Sequence, residues 1–374
     1  NSNSNSNSNS NSNSKTLKPM PLFMDLHVSP TGDIPIEELI KKHKADLATQ
    51  NEYAVKFKSM WVNKDKGIVF CLMEGPDKDA CVNVHQKAHG DTGCNIIEVN
   101  PDEYDKILAK SLPNAQDIAV TEEGIIDTAF RTVLWFEIIS PLSPQQVKLQ
   151  KFEDFVKENK GSLLLDPQPS LKGVFVYPSA AFHCAHQIIN SIKSVDVDYR
   201  LAVVSGKPVE QDHNKFYGYA SDISKKLAIS GDKGCVRTTQ LTMDLYRKEG
   251  RTENEILNTY EVLSLTDEQF LYRLIDIIRE NYTAADFSAT DLAAITHLSR
   301  SQLFRKIRKI TALTPNTLIR EIKLNEAVKL LSENKDQIAQ IAYNTGFTSP
   351  SYFSKIFSKR FGMLPSEYIN ILKG

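Results

Sequence analysis

From Asp267 to Gly374 the sequence has no strand-like alternation, and inside that stretch one pattern occurs twice. In "SATDLAAITHLSRSQLFRKIRKI", Ser288 or Thr290 can cap a short helix carrying Leu292, Ala293 and Ile295. "HLS" turns the chain, and Ser299 caps a second helix that places Leu303 and Ile307 on one side. Arg300, Ser301, Gln302, Arg305 and Lys306 fall outside that apolar side. In "DQIAQIAYNTGFTSPSYFSKIF" a helix with Ile338, Ile341 and Ala342 stops at Gly346, and another starts at Ser349 with Pro350 in its first turn. Both segments read as helix-turn-helix units, with small Ala293 and Ala342 where two helices must approach closely. Between them, "TPNTLIREIKLNEAVKLLSEN" predicts one amphipathic helix from about 315 to 332. At 1.5 Å per residue this is a rod of roughly 27 Å.

Charge is distributed to match. From Ser299 to Gly374 there are 13 Lys or Arg against 5 Asp or Glu, although the whole chain carries a net charge of −1. A basic end on an acidic body suits contact of that end alone with a polyanion. Phe347, Phe353, Phe357 and Phe361 read as the core of a small helical domain. The hydroxyls and cations between them are then free for phosphate and base edges. Successive major grooves on one side of DNA lie about 34 Å apart, so the rod would hold two recognition helices in adjacent grooves. The expected partner is double-stranded DNA.

With "LSRSQLFRKI", "IREIKLNEAVKLL" and "IAQIAYNTGFTSPSYFSKIFSKRFGMLPSEY" in this tandem order, residues 267–371 resemble the AraC/XylS family of transcriptional regulators. The resemblance implies recognition positions at Ser301, Phe304 and Arg305, and at Pro350, Ser351, Ser354 and Lys355. Arg305 suits a guanine edge and Phe304 a thymine methyl, whereas Pro350 offers no polar readout. The full expected DNA-binding set is Arg300, Ser301, Gln302, Phe304, Arg305, Lys306, Ser349, Ser351, Ser354, Lys355 and Lys359. RNA polymerase and a second copy of the chain are further expected partners.

The expected fold class is α+β multidomain: two ferredoxin-like α/β domains followed by an all-α tandem helix-turn-helix domain. The divisions are a disordered Asn/Ser tract at 1–17, a sensing domain at 18–100, a linker at 101–130, a second α/β domain at 131–250, a linker at 251–266 and the DNA-binding domain at 267–374. No apolar run reaches the ~20 residues needed to cross a bilayer. Five cysteines, an odd number at irregular spacing, make no disulfide framework, so the thiols read as reduced and the location as cytoplasmic.

Residues 131–250 resemble class III nucleotide cyclase domains through "VLWFEIIS", "KGVFVYPSAAFHCAHQI", "RLAVVSGKPVEQ" and "FYGYASDISKKLA". Catalysis in that family needs two acidic metal ligands and an Asn/Arg pair. The first acidic position falls on Glu137, "PQPSLKG" replaces the turn bearing the second, and the Asn and Arg positions read as Asp222 and Lys226. A carboxylate at Asp222 is electrostatically wrong beside polyphosphate, so the domain is expected to be non-catalytic and the chain not an enzyme. His183, Cys184 and His186 are expected to be packing on a helix over a sheet.

Residues 21–99 read as β-α-β-β-α-β and hold four of the eight histidines: His27, His43, His85 and His89. His85 and His89 share a helix face and can chelate a single ion, Asp25 and His27 share a strand face, and the candidate metal ligands are His27, His43, His85 and His89. Imidazole with carboxylate suits nickel, zinc or copper, and Cys71, Cys81 or Cys94 would shift preference to softer ions. "PLFMDLHV", "HKADLATQ", "WVNKDKGIVFCLMEGPDKDA" and "VHQKAHG" resemble small bacterial ferredoxin-like domains described as nickel-binding. The expected function is therefore a DNA-binding regulator answering to a ligand of the N-terminal domain, either nickel or another divalent transition metal or an organic or protein signal in the same cleft, with a nucleotide cyclase or a metal-buffering protein as alternatives.

Overall fold

The structure, a computed structural model, describes residues 20–90, 95–138, 149–165, 170–193, 199–211, 214–231, 234, 236–250, 259–333 and 337–373. The Asn/Ser tract, Cys94 and most of "PQPS" lie outside these residues. Among the described residues no helix is long and apolar enough to cross a membrane.

The first unit runs β1 (Leu22–Val28), α1 (Ile36–Thr49), β2 (Lys56–Asn63), β3 (Ile68–Glu74), α2 (Lys78–His89) and β4 (Asn95–Val99). Its sheet has the order β2-β3-β1-β4 with antiparallel neighbours, the ferredoxin-like arrangement. Alternation along β1 sends Phe23, Asp25 and His27 to the side covered by the two helices. Met24 and Leu26 go to the opposite side, with Trp61, Phe70, Leu72 and Ile97.

That opposite side is also buried, which corrects the reading of 101–130 as a bare connector. The segment forms α3 (Pro101–Ile107) and a hairpin of β5 (Leu112–Pro113) and β6 (Ala119–Val120). The hairpin joins the edge of the first sheet, with the Met60 N–H donating to Asp117 O at 2.9 Å. Ile107, Leu108, Ala119 and Ala129 complete the apolar layer. A sheet apolar on both faces requires cover on both, and the polar tips of the segment mask its few buried residues.

The second unit repeats the order as β7 (Arg131–Ile138), α4 (Leu149–Glu158), β8 (Ser162–Leu165), β9 (Ser170–Phe175), α5 (Pro178–Ile192) and β10 (Tyr199–Gly206). It then adds α6 (Gly218–Ser230), β11 (Val236–Thr239), α7 (Gln240–Lys248) and β12 (Glu261–Leu263). The sheet order is β12-β11-β10-β7-β9-β8, so a ferredoxin-like core carries two extra parallel strands. β12 lies inside the stretch expected to be the 251–266 linker. Its three residues are too few for a periodicity signal, and pairing with β11 defines them. β7 is buried almost throughout because helices cover both its faces. On α5, Cys184 is core as expected, whereas His183 is exposed and His186 half-buried.

The last region is helical: a leading helix Leu265–Asn281, a first pair Ala289–Ile295 and Arg300–Thr311, a spacer Pro315–Glu333, a second pair Ile338–Asn344 and Pro350–Phe361, and a closing helix Pro365–Lys373. The spacer is not amphipathic as expected. Leu318, Glu321, Ile322, Lys323, Leu324, Asn325, Ala327 and Val328 are all buried, because the spacer is enclosed by both pairs and by α6.

Candidate metal centre and DNA-reading face

The first unit gathers its titratable groups between the sheet and its two helices. β1 supplies Asp25 and His27, α1 supplies His43 and Asp46, and α2 supplies His85 and His89. His27 Nε2 lies 2.8 Å from Asp25 Oδ2, and His85 Nε2 lies 2.7 Å from the same oxygen. His85 Nδ1 is 3.1 Å from Asp46 Oδ1, which is also 3.1 Å from His89 Nε2. The result is a chain of groups, His27–Asp25–His85–Asp46–His89. Asp25 is 0% and His85 1% exposed.

The charges are mutually dependent. Burial pushes the Asp25 carboxyl up, but His27 and His85 outweigh it and hold it well below the usual carboxylate range. Asp46 is likewise held down by His85 and His89 against its burial. Burial opposes charge on His85, yet the carboxylates of Asp25 and Asp46 raise it to about 9. Burial, with the Asp25 charge, pushes the Cys71 thiol up to about 12.

These residues fit a divalent transition metal. The ligand atoms of Asp46, His85 and His89 lie within 4.8 Å of one another, as do those of Asp25, His27 and Cys71. His85 Nε2 faces Asp25 Oδ2 at 2.7 Å, which leaves Nδ1 on the side of Asp46. A cavity of about 30 Å³, lined among others by His27, His43, Asp46, Cys71, His85 and His89, adjoins the cluster. Two imidazoles with one carboxylate suit nickel, copper or zinc, and such a cavity has room for a single ion. His43 lines the cavity but is in neither convergent set; its Nε2 is 3.1 Å from Asp117 Oδ2 of the hairpin. Asp46 is absent from the ligands expected from sequence. It sits three residues after His43 on the same helix face, and that spacing was its only signal.

The helical region is a structural repeat. Thr296 Oγ1 donates to Leu292 O, and Thr345 Oγ1 to Ile341 O, each at 2.7 Å. His297 and Gly346 both take positive φ, +55° and +72°, at the turns. At Gly346 an added Cβ would lie 2.0 Å from Tyr282 O, so this turn requires glycine. Ser299 caps its helix with Gln302 in a reciprocal capping box, and the Ser349 hydroxyl accepts from the Tyr352 N–H at 3.2 Å.

Arg300, Ser301, Gln302, Phe304 and Arg305 are all exposed on the first recognition helix. Lys306 is half-buried, its Nζ 3.9 Å from the centre of the Phe270 ring on the leading helix. On the second, Ser351, Lys355 and Lys359 are exposed, Ser354 is half-buried, and the Ser349 hydroxyl is engaged as a cap. Tyr343 and Tyr352 are also exposed beside this face. They were missed because neither differs in type from the neighbouring core aromatics.

Comparison with known proteins follows the same division. Residues 292–371 match a family model described as a helix-turn-helix domain, and residues 23–99 match one described as nickel responsive protein SCO4226-like. Neither span reaches residues 131–250. The chain is 43% identical over 108 residues to Histidine kinase P4 of Formosa agariphila, covering 29% of this chain and 8% of that one. It is 29% identical over 110 residues to the probable transcriptional regulator LumQ of Photobacterium leiognathi, covering 28% of this chain and 44% of that one. The chain thus spans less than half the length of each of these two relatives. The crystal structure of SCO4226 from Streptomyces coelicolor A3(2) is 36% identical, with 21% of this chain and 94% of that one covered and a TM-score of 0.20. These matches give residues 292–371 a helix-turn-helix domain and make residues 23–99 similar to the nickel responsive protein SCO4226-like family.

Proposed function

We propose that this chain is a sequence-specific, DNA-binding transcriptional regulator whose N-terminal domain binds a divalent transition metal, nickel foremost. The observation that carries the reading is the pair of capped recognition helices with Arg300, Ser301, Gln302, Phe304, Arg305, Ser351, Lys355 and Lys359 turned outward. Short polar side chains and cations on a helix suit base edges and phosphates of a major groove. Asp46, His85 and His89 would hold the metal, with Asp25 fixing the His85 ring from its other nitrogen. When bound, the metal supplies a fixed positive charge among these carboxylates. Its effect on DNA binding equals its differential affinity for the DNA-free and DNA-bound arrangements.

This reading assigns no catalysis to residues 131–250. Glu137 and Lys226, which the resemblance to cyclases would put at catalytic positions, are buried, and Lys226 Nζ donates to Asp276 of the leading helix at 2.7 Å. A second copy of the chain and RNA polymerase are the macromolecular partners it implies, in the cytoplasm.

The test is selection of duplexes from random sequence by the full chain at stated salt, followed by Arg305→Ala. The substitution is expected to cost about 1–3 kcal/mol and relax preference at one base pair. Equal weakening on every sequence would remove Arg305 from base readout, and failure to select any duplex would overturn the reading.

A further inference from the structure

Three buried charges meet where the middle domain touches the DNA-binding helices. Arg200, on β10, donates from Nη2 to Glu321 Oε2 of the spacer at 3.2 Å. Arg360, in the last turn of the second recognition helix, donates from Nε to the same oxygen at 2.6 Å. All three side chains are less than a tenth exposed. Glu137 stands opposite Arg200 in the strand register. Burial favours a neutral Glu321, but Arg360 and Arg200 outweigh it and keep the carboxyl charged.

The cluster is incompletely paired. Arg200 Nε and Nη1, Arg360 Nη1 and Nη2, and Glu137 Oε2 are buried without a hydrogen bond. Buried charges left part-paired hold only while the surrounding packing keeps them in place. Among the described residues the first motif has no such junction. A shift of 50 residues superposes Leu303 on Phe353 and Ile307 on Phe357, and it places Ile310 where the second motif has Arg360. Ile310 is buried in the apolar core. Both recognition helices bury an apolar stripe, and the second adds a charge supplied in part by another domain.

Resting on the DNA-binding reading above, we propose that Arg200 is a positioning residue: through Glu321 and Arg360 it sets the orientation of the second recognition helix against the spacer. The second motif is then tied to the middle domain by this charge, whereas the first shares an apolar core with it. A guanidinium suits this role because its long, always-charged side chain carries a donor, Nη2, from the strand to Glu321 on the spacer.

The experiment uses the full chain and a duplex it has selected from random sequence, with hydroxyl-radical footprints of wild type, Arg200→Met and Arg200→Lys. Wild type is expected to protect two half-sites. Arg200→Met should lose protection of the half-site read by the second motif while keeping the other, with affinity falling about 5- to 150-fold, the usual range of coupling between sites. Arg200→Lys keeps the buried charge without the fork and should show the same one-sided loss, smaller in size. It carries the test if thermal scans find Arg200→Met unfolded. Unchanged protection of both halves, or equal loss from both, would overturn the proposal. If wild type selects no duplex, the DNA-binding reading fails, and this inference with it.

Discussion

Asp46 is the residue on which the proposed metal site turns, since its Oδ1 lies within reach of both His85 and His89. Replacing it, or His89, with Ala should abolish nickel binding measured by calorimetry in the full chain. Asp25→Asn should weaken it about 10- to 100-fold, because Asp25 orients His85 rather than belonging to the Asp46 set. Retention of wild-type nickel affinity by both Asp46→Ala and His89→Ala would contradict this assignment. Of the four histidines expected as ligands, His85 and His89 fall in one set with Asp46, and His27 in another with Asp25 and Cys71, since strand and helix periodicity place them on facing surfaces. His43 reaches the cavity but is directed to Asp117, a partner 74 residues away that no local pattern reveals. A second residue-level test concerns Asp127, buried against Arg131 with contacts of 2.9 and 2.7 Å. Burial raises its carboxyl, and Arg131 more than offsets that, holding it below its ordinary 3.8. A depressed folded value stabilises the fold above pH 3.8 and ceases to do so as pH falls below it. Asp127→Asn should therefore destabilise at neutral pH by about 3–5 kcal/mol, and the gap to wild type should close in acid. A gap independent of pH in denaturant titrations would count against a charged Asp127.

Among the elements, the recognition helices were the most legible. Ser299 and Ser349 marked their starts, and Leu303, Ile307, Phe353 and Phe357 set their buried stripe. Phe357, fully buried among Phe353, Phe361 and Tyr368, should cost about 3–5 kcal/mol when replaced by Ala, read as a fall in stability in urea. A loss below about 1 kcal/mol would mean that the aromatic cluster is not the core it is taken for. The hairpin of β5 and β6 and the strand β12 were not legible. Each has two or three paired residues, and each owes its conformation to a neighbouring sheet rather than to its own pattern. The spacer departs from its amphipathic expectation for a related reason: the charged Glu321 and Lys323 are both buried on polar partners. Glu321 binds two arginines, and Lys323 Nζ donates to Gly346 O at 2.8 Å.

At the scale of the whole molecule, the three regions share one apolar core running from Met24 and Trp61 through Trp135 and Tyr217 to Leu271, Leu303 and Ile322. Polar contacts cross the same boundaries. Asn95 Nδ2 donates to Glu210 O at 2.8 Å, Tyr219 Oη to Glu268 Oε1 at 2.7 Å, and Lys226 to Asp276. A metal that alters the His27–His89 cluster therefore acts on a body in continuous contact with the DNA-reading helices. If the two sites are coupled, linkage requires that each ligand change the affinity for the other by the same factor. The deciding measurement is a titration of the full chain with a selected duplex, with and without nickel, paired with a nickel titration with and without that duplex. The account predicts equal factors in the two directions, about 5- to 150-fold. Nickel bound at Asp46, His85 and His89 with no change in duplex affinity would contradict it.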